Sequence, residues 1–230
     1  MLDPILDVSP NLGLDTLLLL PVLVALETIL SADNAIALAA ISRGLPTPEL
    51  QRQALNVGLV VAFVLRIGLI LTAVWVLRFW QVELAGAAYL IWLAIQYFFS
   101  SDSDETEGSS SHHRFTSLWQ AIPILALTDL AFSLDSVTTA IAIADEVWIV
   151  LLGATIGIIT LRFMAGLFIR WLQEYVHLED AGYLAVALVG LRLLLRVVAP
   201  QAVPPDWIMI SLIALFFAWG FSKHTESNQI

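Results

Sequence analysis

The chain has no cysteine, few charged residues and no basic residue before Arg43. Without cysteine it can form neither a disulfide nor a thiolate metal site. Charged residues make up 13% of its 230 residues and hydrophobic residues 59%, whereas about 25% of a soluble globular chain is charged. The mean hydropathy is +0.87. We therefore predict a polytopic membrane protein, and the formal net charge of -10 argues against a nucleic-acid partner.

The start of the chain also lacks the positive segment of a cleavable signal peptide. Its first charged residues are Asp3, Asp7 and Asp15. Because a signal peptide begins with a positively charged region, we interpret the first apolar run as a retained helix.

Apolar runs divide the chain into about seven stretches, each long enough to cross a membrane as a helix. They lie near 14–42, 53–78, 82–99, 116–144, 147–172, 180–199 and 206–222. Residues 100–115, between the third and fourth stretches, are rich in serine and acidic residues, which predicts a disordered linker. The predicted fold class is an all-α polytopic membrane protein with about seven transmembrane helices.

One polar motif occurs twice inside these apolar runs. Residues 27–35 read Glu-Thr-Ile-Leu-Ser-Ala-Asp-Asn-Ala, and residues 129–137 read Asp-Leu-Ala-Phe-Ser-Leu-Asp-Ser-Val. Each copy places an acid first, serine four positions later, and then aspartate followed by asparagine or serine. A charge at the bilayer centre costs roughly 3 kcal/mol on insertion scales and about 10 kcal/mol or more in simulations of an isolated helix. Two copies of so costly a pattern indicate function.

Residues outside the motif follow the same repeat. Arg66 in the second stretch matches Arg162 in the fifth, and Tyr89 in the third matches Tyr183 in the sixth. Each repeat has an odd number of helices, so the second enters the membrane in the opposite sense, as in many secondary transporters. We predict the following segments: a first three-helix repeat (1–99), the linker (100–115), a second, inverted three-helix repeat (116–199), and an extra C-terminal transmembrane helix with its tail (200–230).

Basic residues in the loops predict an orientation. With the N-terminus outside, the cytoplasmic side receives Arg43, Arg52, Arg114, Arg170 and Lys223, and the outer side receives Arg78 and Arg196. An excess of basic residues on the cytoplasmic side is the usual arrangement. We therefore predict an outer N-terminus and a cytoplasmic C-terminus, in the inner (plasma) membrane of the cell.

The spacing of the motif places most of its polar residues on one helix face. Glu27, Ser31 and Asn34 are separated by four and three residues, as are their counterparts in the second copy, Asp129, Ser133 and Ser136. Asp33 and Asp135 lie roughly 120° away from that face at about 100° per residue. Either the helix is locally unwound there, or these aspartates point at a neighbouring helix.

Carboxylate, hydroxyl and amide oxygens are the ligands of hard cations such as Mg²⁺, Ca²⁺ and Mn²⁺. Without cysteine, and without histidine in the apolar stretches, Zn²⁺ and Cu⁺ are disfavoured substrates. We hypothesise that Arg66 and Arg162 each pair with an aspartate when no cation is bound. The alternative is that these charges are buried ion pairs that only hold helices together.

The two motifs resemble the signature motifs of the TerC family of integral membrane proteins, and the resemblance runs from about Leu14 to Ser222. It implies seven helices in two inverted repeats and the export of manganese, in some members calcium. It also implies the metal-site residues Glu27, Asp33, Asn34, Asp129, Asp135 and Ser136, which Ser31, Ser133, Arg66 and Arg162 would support. One departure is Arg192, where lysine is expected for the family.

We therefore expect a secondary transporter that exports Mn²⁺, or a related divalent cation such as Ca²⁺, by alternating access, with protons as the counter-ion and no prosthetic group. The alternative is a factor that inserts or assembles other membrane proteins. A membrane metalloenzyme would need a nucleophile or general base beside its metal, and no such arrangement is visible, so we do not expect an enzyme. The sequence leaves the oligomeric state open.

Overall fold

The computed structural model describes residues 34–76, 78–101, 115, 117–143 and 147–224, and the long elements of these residues are all helices. The first, α1, is described over 34–42. The others are α2 (Pro48–Val76), α3 (Trp80–Ser101), α4 (Leu118–Ile143), α5 (Val147–Glu174), α6 (Leu178–Val198) and α7 (Asp206–Gly220). The predicted all-α polytopic membrane protein is confirmed.

Helices α2 to α6 are each long and apolar enough to cross a membrane. Helix α7 has 15 residues and at 1.5 Å per residue is about 22 Å long, shorter than a hydrocarbon core of about 30 Å. That α7 crosses the membrane therefore stays a prediction, as does the division into repeats. The predicted linker and the first motif fall almost wholly outside the described residues, Asn34 being the motif's only described polar residue.

Local sequence explains where α2 begins. Thr47 precedes the helix, and its Oγ1 accepts a hydrogen bond from the backbone N–H of Leu50 at 3.3 Å, which satisfies one of the unpaired donors of the first turn. Pro48 is the first helical residue, a position where its missing N–H costs nothing. Glu49 adds an acid in the first turn, where the helix dipole favours negative charge.

Several helix contacts match an axis that would exchange the two predicted repeats. Helix α3 packs against α6, and α2 packs against both α4 and α5. Such an axis maps the α3–α6 and α2–α5 pairs onto themselves. It also relates the α3–α4 contact, where Gly86 meets Leu134, to the α1–α6 contact, where Gly182 meets Ile36. These contacts fit an inverted repeat, and the division into repeats stays a prediction.

Gly190 allows α6 to approach α3 closely. A Cβ atom there would lie 3.0 Å from Leu90 Cβ and 3.2 Å from the backbone nitrogen of Ile91. We expect Gly190→Val to lower the free energy of unfolding by about 1–3 kcal/mol, the usual cost of overpacking. The measurement is thermal unfolding of the purified protein in detergent. Gly68→Val is the matched control, because nothing lies within 4 Å of a Cβ at Gly68; equal losses in both variants would contradict the explanation.

Candidate cation site

The second motif lies on α4, which is continuous from Leu118 to Ile143. Asp129 and Asp135 are therefore separated by about 9 Å along the helix axis and point in different directions. Each contacts a different neighbouring helix, α2 for Asp129 and α6 for Asp135. The sequence left two alternatives for Asp135: a locally unwound helix, or a side chain that points at a neighbouring helix. The structure has the second, because α4 is continuous and Asp135 contacts α6.

Asp129 forms an ion pair with Arg66 in the middle of the helix bundle. Arg66 Nη2 donates to both carboxylate oxygens of Asp129 at 3.3 Å, and both side chains are fully buried. The pair joins α4 to α2. In a region where an isolated charge would be costly, each residue supplies the counter-charge that allows the other to be buried.

Two serines of α4 lie near this pair. Ser133 Oγ donates to the backbone oxygen of Asp129 at 2.7 Å, and both Ser133 and Ser136 are buried. Because each hydroxyl also has lone pairs, a serine that donates to its own helix can still accept or ligate. Ser136, Arg66 and Gly153 line a cavity of about 20 Å³ between α2, α4 and α5. That volume is enough for one water molecule.

Asp135 is held by two arginines of α6. Arg192 donates to one of its carboxylate oxygens and Arg196 to the other. Arg192 also donates to Asp206 at the start of α7, and Arg196 lies 4.0 Å from Glu83 at the start of α3. We call these five residues the α6 charge network; it contains three acids and two bases.

Sequence reasoning missed most of this network. Arg196 was predicted to lie in an outer loop, and Glu83 and Asp206 were not considered. The structure places Arg196 within α6, part-buried against Asp135. The available signal was the spacing of Arg192 and Arg196, which are four residues apart in an apolar helix and therefore share a face.

The remaining predicted site residues either lie outside the described residues or take no part in the contacts described above. Asn34 is buried at the start of the described part of α1, and Glu27, Ser31 and Asp33 lie outside the described residues. Arg162 is exposed on α5 and lines a groove with Arg52. Among the described residues it forms no ion pair, so the structure gives no support to its predicted pairing with an aspartate.

A second set of polar contacts lies at the opposite end of α6. Arg43 Nη1 donates to Glu179 Oε2 at 2.7 Å, which joins the end of α1 to the start of α6. Tyr97 donates to Asp180 Oδ1 at 2.6 Å, which joins the end of α3 to the same turn. Polar contacts therefore join α6 to its neighbours at both of its ends. The Arg66–Asp129 pair, which joins α2 to α4, lies at a depth between these two sets of contacts.

The described part of the chain holds no group of three or more histidine or acidic side chains arranged to bind a metal ion. It does bring together Asp129, Ser133 and Ser136, which are three of the four polar residues of the second motif. Their oxygens could supply part of the coordination of a hard cation. The matching residues of the first motif would have to supply the rest.

Comparison with known proteins identifies relatives along most of the chain. A family model described as "Integral membrane protein TerC family" matches residues 12–228. The chain is 32% identical over 176 residues to "Uncharacterized membrane protein YceF" of Bacillus subtilis (strain 168), covering 74% of this chain and 68% of that protein. It is 32% identical over 194 residues to YkoY of the same strain, covering 77% of this chain and 60% of YkoY.

A relative from another organism matches over a longer range. The chain is 30% identical over 225 residues to "UPF0053 inner membrane protein YgdQ" of Escherichia coli (strain K12), covering 91% of this chain and 90% of YgdQ. No solved structure matches the chain significantly.

Proposed function

The chain belongs to the TerC family of integral membrane proteins, and from this premise we propose that it is a secondary transporter that exports a divalent cation from the cytoplasm. The proposed substrate is Mn²⁺ or a related hard cation such as Ca²⁺, and the counter-ion is the proton. Since the relative YgdQ is named an inner membrane protein, we propose the same membrane for this chain, with the N-terminus outside.

One observation carries the proposal: both aspartates of the α4 motif are buried, and each is neutralised by arginine from another helix. An aspartate whose counter-charge is a movable side chain can exchange that arginine for a cation. The bilayer interior stays close to neutral during the exchange, which is the condition for moving charge through it. Ser133 and Ser136 supply neutral oxygens beside Asp129.

We assign Asp129 to a central cation-binding site and Asp135 to a second binding site nearer the outer side. The two carboxylates cannot share one ion while α4 is continuous, because they contact different helices. The cation would therefore meet them in sequence. A carboxylate releases its cation when it takes up a proton, so proton entry from the outer side at Asp135 would couple release to the proton gradient.

Alternating access needs contacts that can open at each side. The contacts of α6 with Glu83 and Asp135 lie at one end of the bundle, and its contacts with Arg43 and Tyr97 lie at the other. We propose that these two sets of contacts open in turn. Both are formed in the structure, which would leave the Asp129 region closed to both sides.

The test is Mn²⁺ uptake by proteoliposomes that contain the purified protein, with and without an acidic lumen. Protons that leave the lumen should drive Mn²⁺ inward, so we expect uptake above that of empty liposomes and faster uptake with the gradient. Uptake at the same rate with and without the gradient would contradict the proton as counter-ion. No uptake of Mn²⁺ or Ca²⁺ would favour the alternative role in membrane-protein assembly.

A further inference from the structure

A groove between the start of α2 and the end of α5 contains three arginines that the proposed transport does not use. Its volume is about 390 Å³, and it is lined by Arg52, Asn56, Arg162 and Arg170 together with apolar side chains. All three arginines are exposed. The lining residues include no carboxylate, and within the described part of the chain none of the three forms an ion pair with an acid.

The groove lies on an exposed, largely apolar surface of α2 and α5. Phe163 and Leu167, which line it, are 77% and 41% exposed, and Val60 on α2 is 64% exposed. Exposed apolar side chains of this size on helices of membrane-spanning length are expected to contact acyl chains. Arg162, next to Phe163, therefore stands beside hydrocarbon, where a guanidinium without a counter-charge is costly.

The depth of the arginines suits the phosphate of a lipid. Helix α5 has 28 residues, about 42 Å at 1.5 Å per residue, so its ends extend beyond a hydrocarbon core of about 30 Å. Arg170 is in the last turns of α5 and Arg52 in the first turns of α2, at headgroup level. Arg162 lies two turns deeper and lines the same groove, and its long side chain can extend toward the end of the helix.

We propose that this groove binds the headgroup of an anionic phospholipid, with its phosphate on the arginines and its acyl chains along Phe163 and Leu167. The planar guanidinium donates two parallel hydrogen bonds to phosphate oxygens. Basic pockets between transmembrane helices on the cytoplasmic side suit anionic headgroups, and this is the side to which the predicted orientation assigns Arg52 and Arg170. The apolar lining favours a phospholipid over free phosphate. The proposal is independent of transport.

The test is native mass spectrometry of the full chain in detergent, titrated with phosphatidylglycerol or phosphatidylcholine of the same acyl chains. We expect the wild type to bind phosphatidylglycerol at least about tenfold more tightly, because each of the three arginines contributes near an anionic surface. The double variant Arg162→Gln/Arg170→Gln should lose that preference. Arg78→Gln, which removes an exposed arginine at the other end of α2, should keep it.

Four results would overturn the proposal. Equal binding of the two lipids to the wild type would show that the groove does not select an anionic headgroup. An unchanged preference in the double variant would show that Arg162 and Arg170 do not bind it. Displacement of phosphatidylglycerol by millimolar inorganic phosphate would reassign the groove to a free anion. Should the glutamine variant fail to fold, Arg162→Lys/Arg170→Lys retains the charge without the paired donors, and a preference equal to that of the wild type would also contradict the proposal.

Discussion

Asp135→Asn is expected to abolish Mn²⁺ uptake driven by a pH gradient while the purified protein still folds. An amide carries no charge with which to attract a divalent cation, and it takes up no proton in the relevant pH range. The variant should fold because neither arginine loses its last acid: Arg192 still meets Asp206, and Arg196 still lies near Glu83. Uptake by proteoliposomes and gel filtration of the same preparation measure the two effects.

Asp206→Asn is the matched control. It makes the same chemical change on an acid that contacts the same arginine, but the Asp206 side chain is 62% exposed, whereas that of Asp135 is 9% exposed. We expect uptake within about twofold of the wild type, because an exposed ion pair contributes little. If both variants transport normally, or both lose uptake equally, the α6 charge network only holds helices together and does not bind the cation.

The sequence predicted the helices more accurately than it predicted the partners of the polar residues. The stretch near 147–172 is α5, Val147–Glu174, and the stretch near 180–199 is α6, Leu178–Val198. Hydropathy along the chain determines where a helix can lie in a membrane, and that information is local. Hydropathy is less informative about where a helix ends. It predicted a span near 206–222, and the structure has a helix of 15 residues there, Asp206–Gly220.

The partner of Asp135 could not be found in the same way. Its arginines lie on a helix about 60 residues further along the chain, and only the packing of both α4 and α6 against α3 brings them together. A charge count treats Arg196 as a loop residue because it is close to the end of an apolar run. The Arg66–Asp129 pair was easier to anticipate, since the repeat marked both residues. The same reasoning assigned a partner to Arg162, and there the described residues supply none.

Arg66→Leu is expected to have the largest effect on stability. It would leave the Asp129 carboxylate buried between α2 and α4 without the donor that now holds it at 3.3 Å. Removing one partner of a buried ion pair typically costs about 3–5 kcal/mol. The measurement is thermal unfolding in detergent, where we expect a much lower Tm and a smaller yield of monodisperse protein.

Two variants separate lost charge balance from lost packing. Arg66→Leu/Asp129→Leu removes both charges, and replacing a buried pair by apolar residues is often neutral or stabilising, so most of the lost stability should return. Arg43→Leu breaks a pair whose side chains are 34% and 25% exposed and should cost less than about 1 kcal/mol. A double variant no more stable than Arg66→Leu would show that the arginine does not stabilise the fold mainly through its pair with Asp129.

The double variant also decides between the two roles of this pair. A pair that only fastens α2 to α4 can be replaced by leucines without loss of function, so stability and uptake would return together. A pair that holds the cation site cannot be replaced, because Asp129 supplies the charge that attracts the ion. We expect the double variant to fold with a near-normal Tm and to transport no Mn²⁺. Stability without transport would assign the buried charge of Asp129 to the substrate.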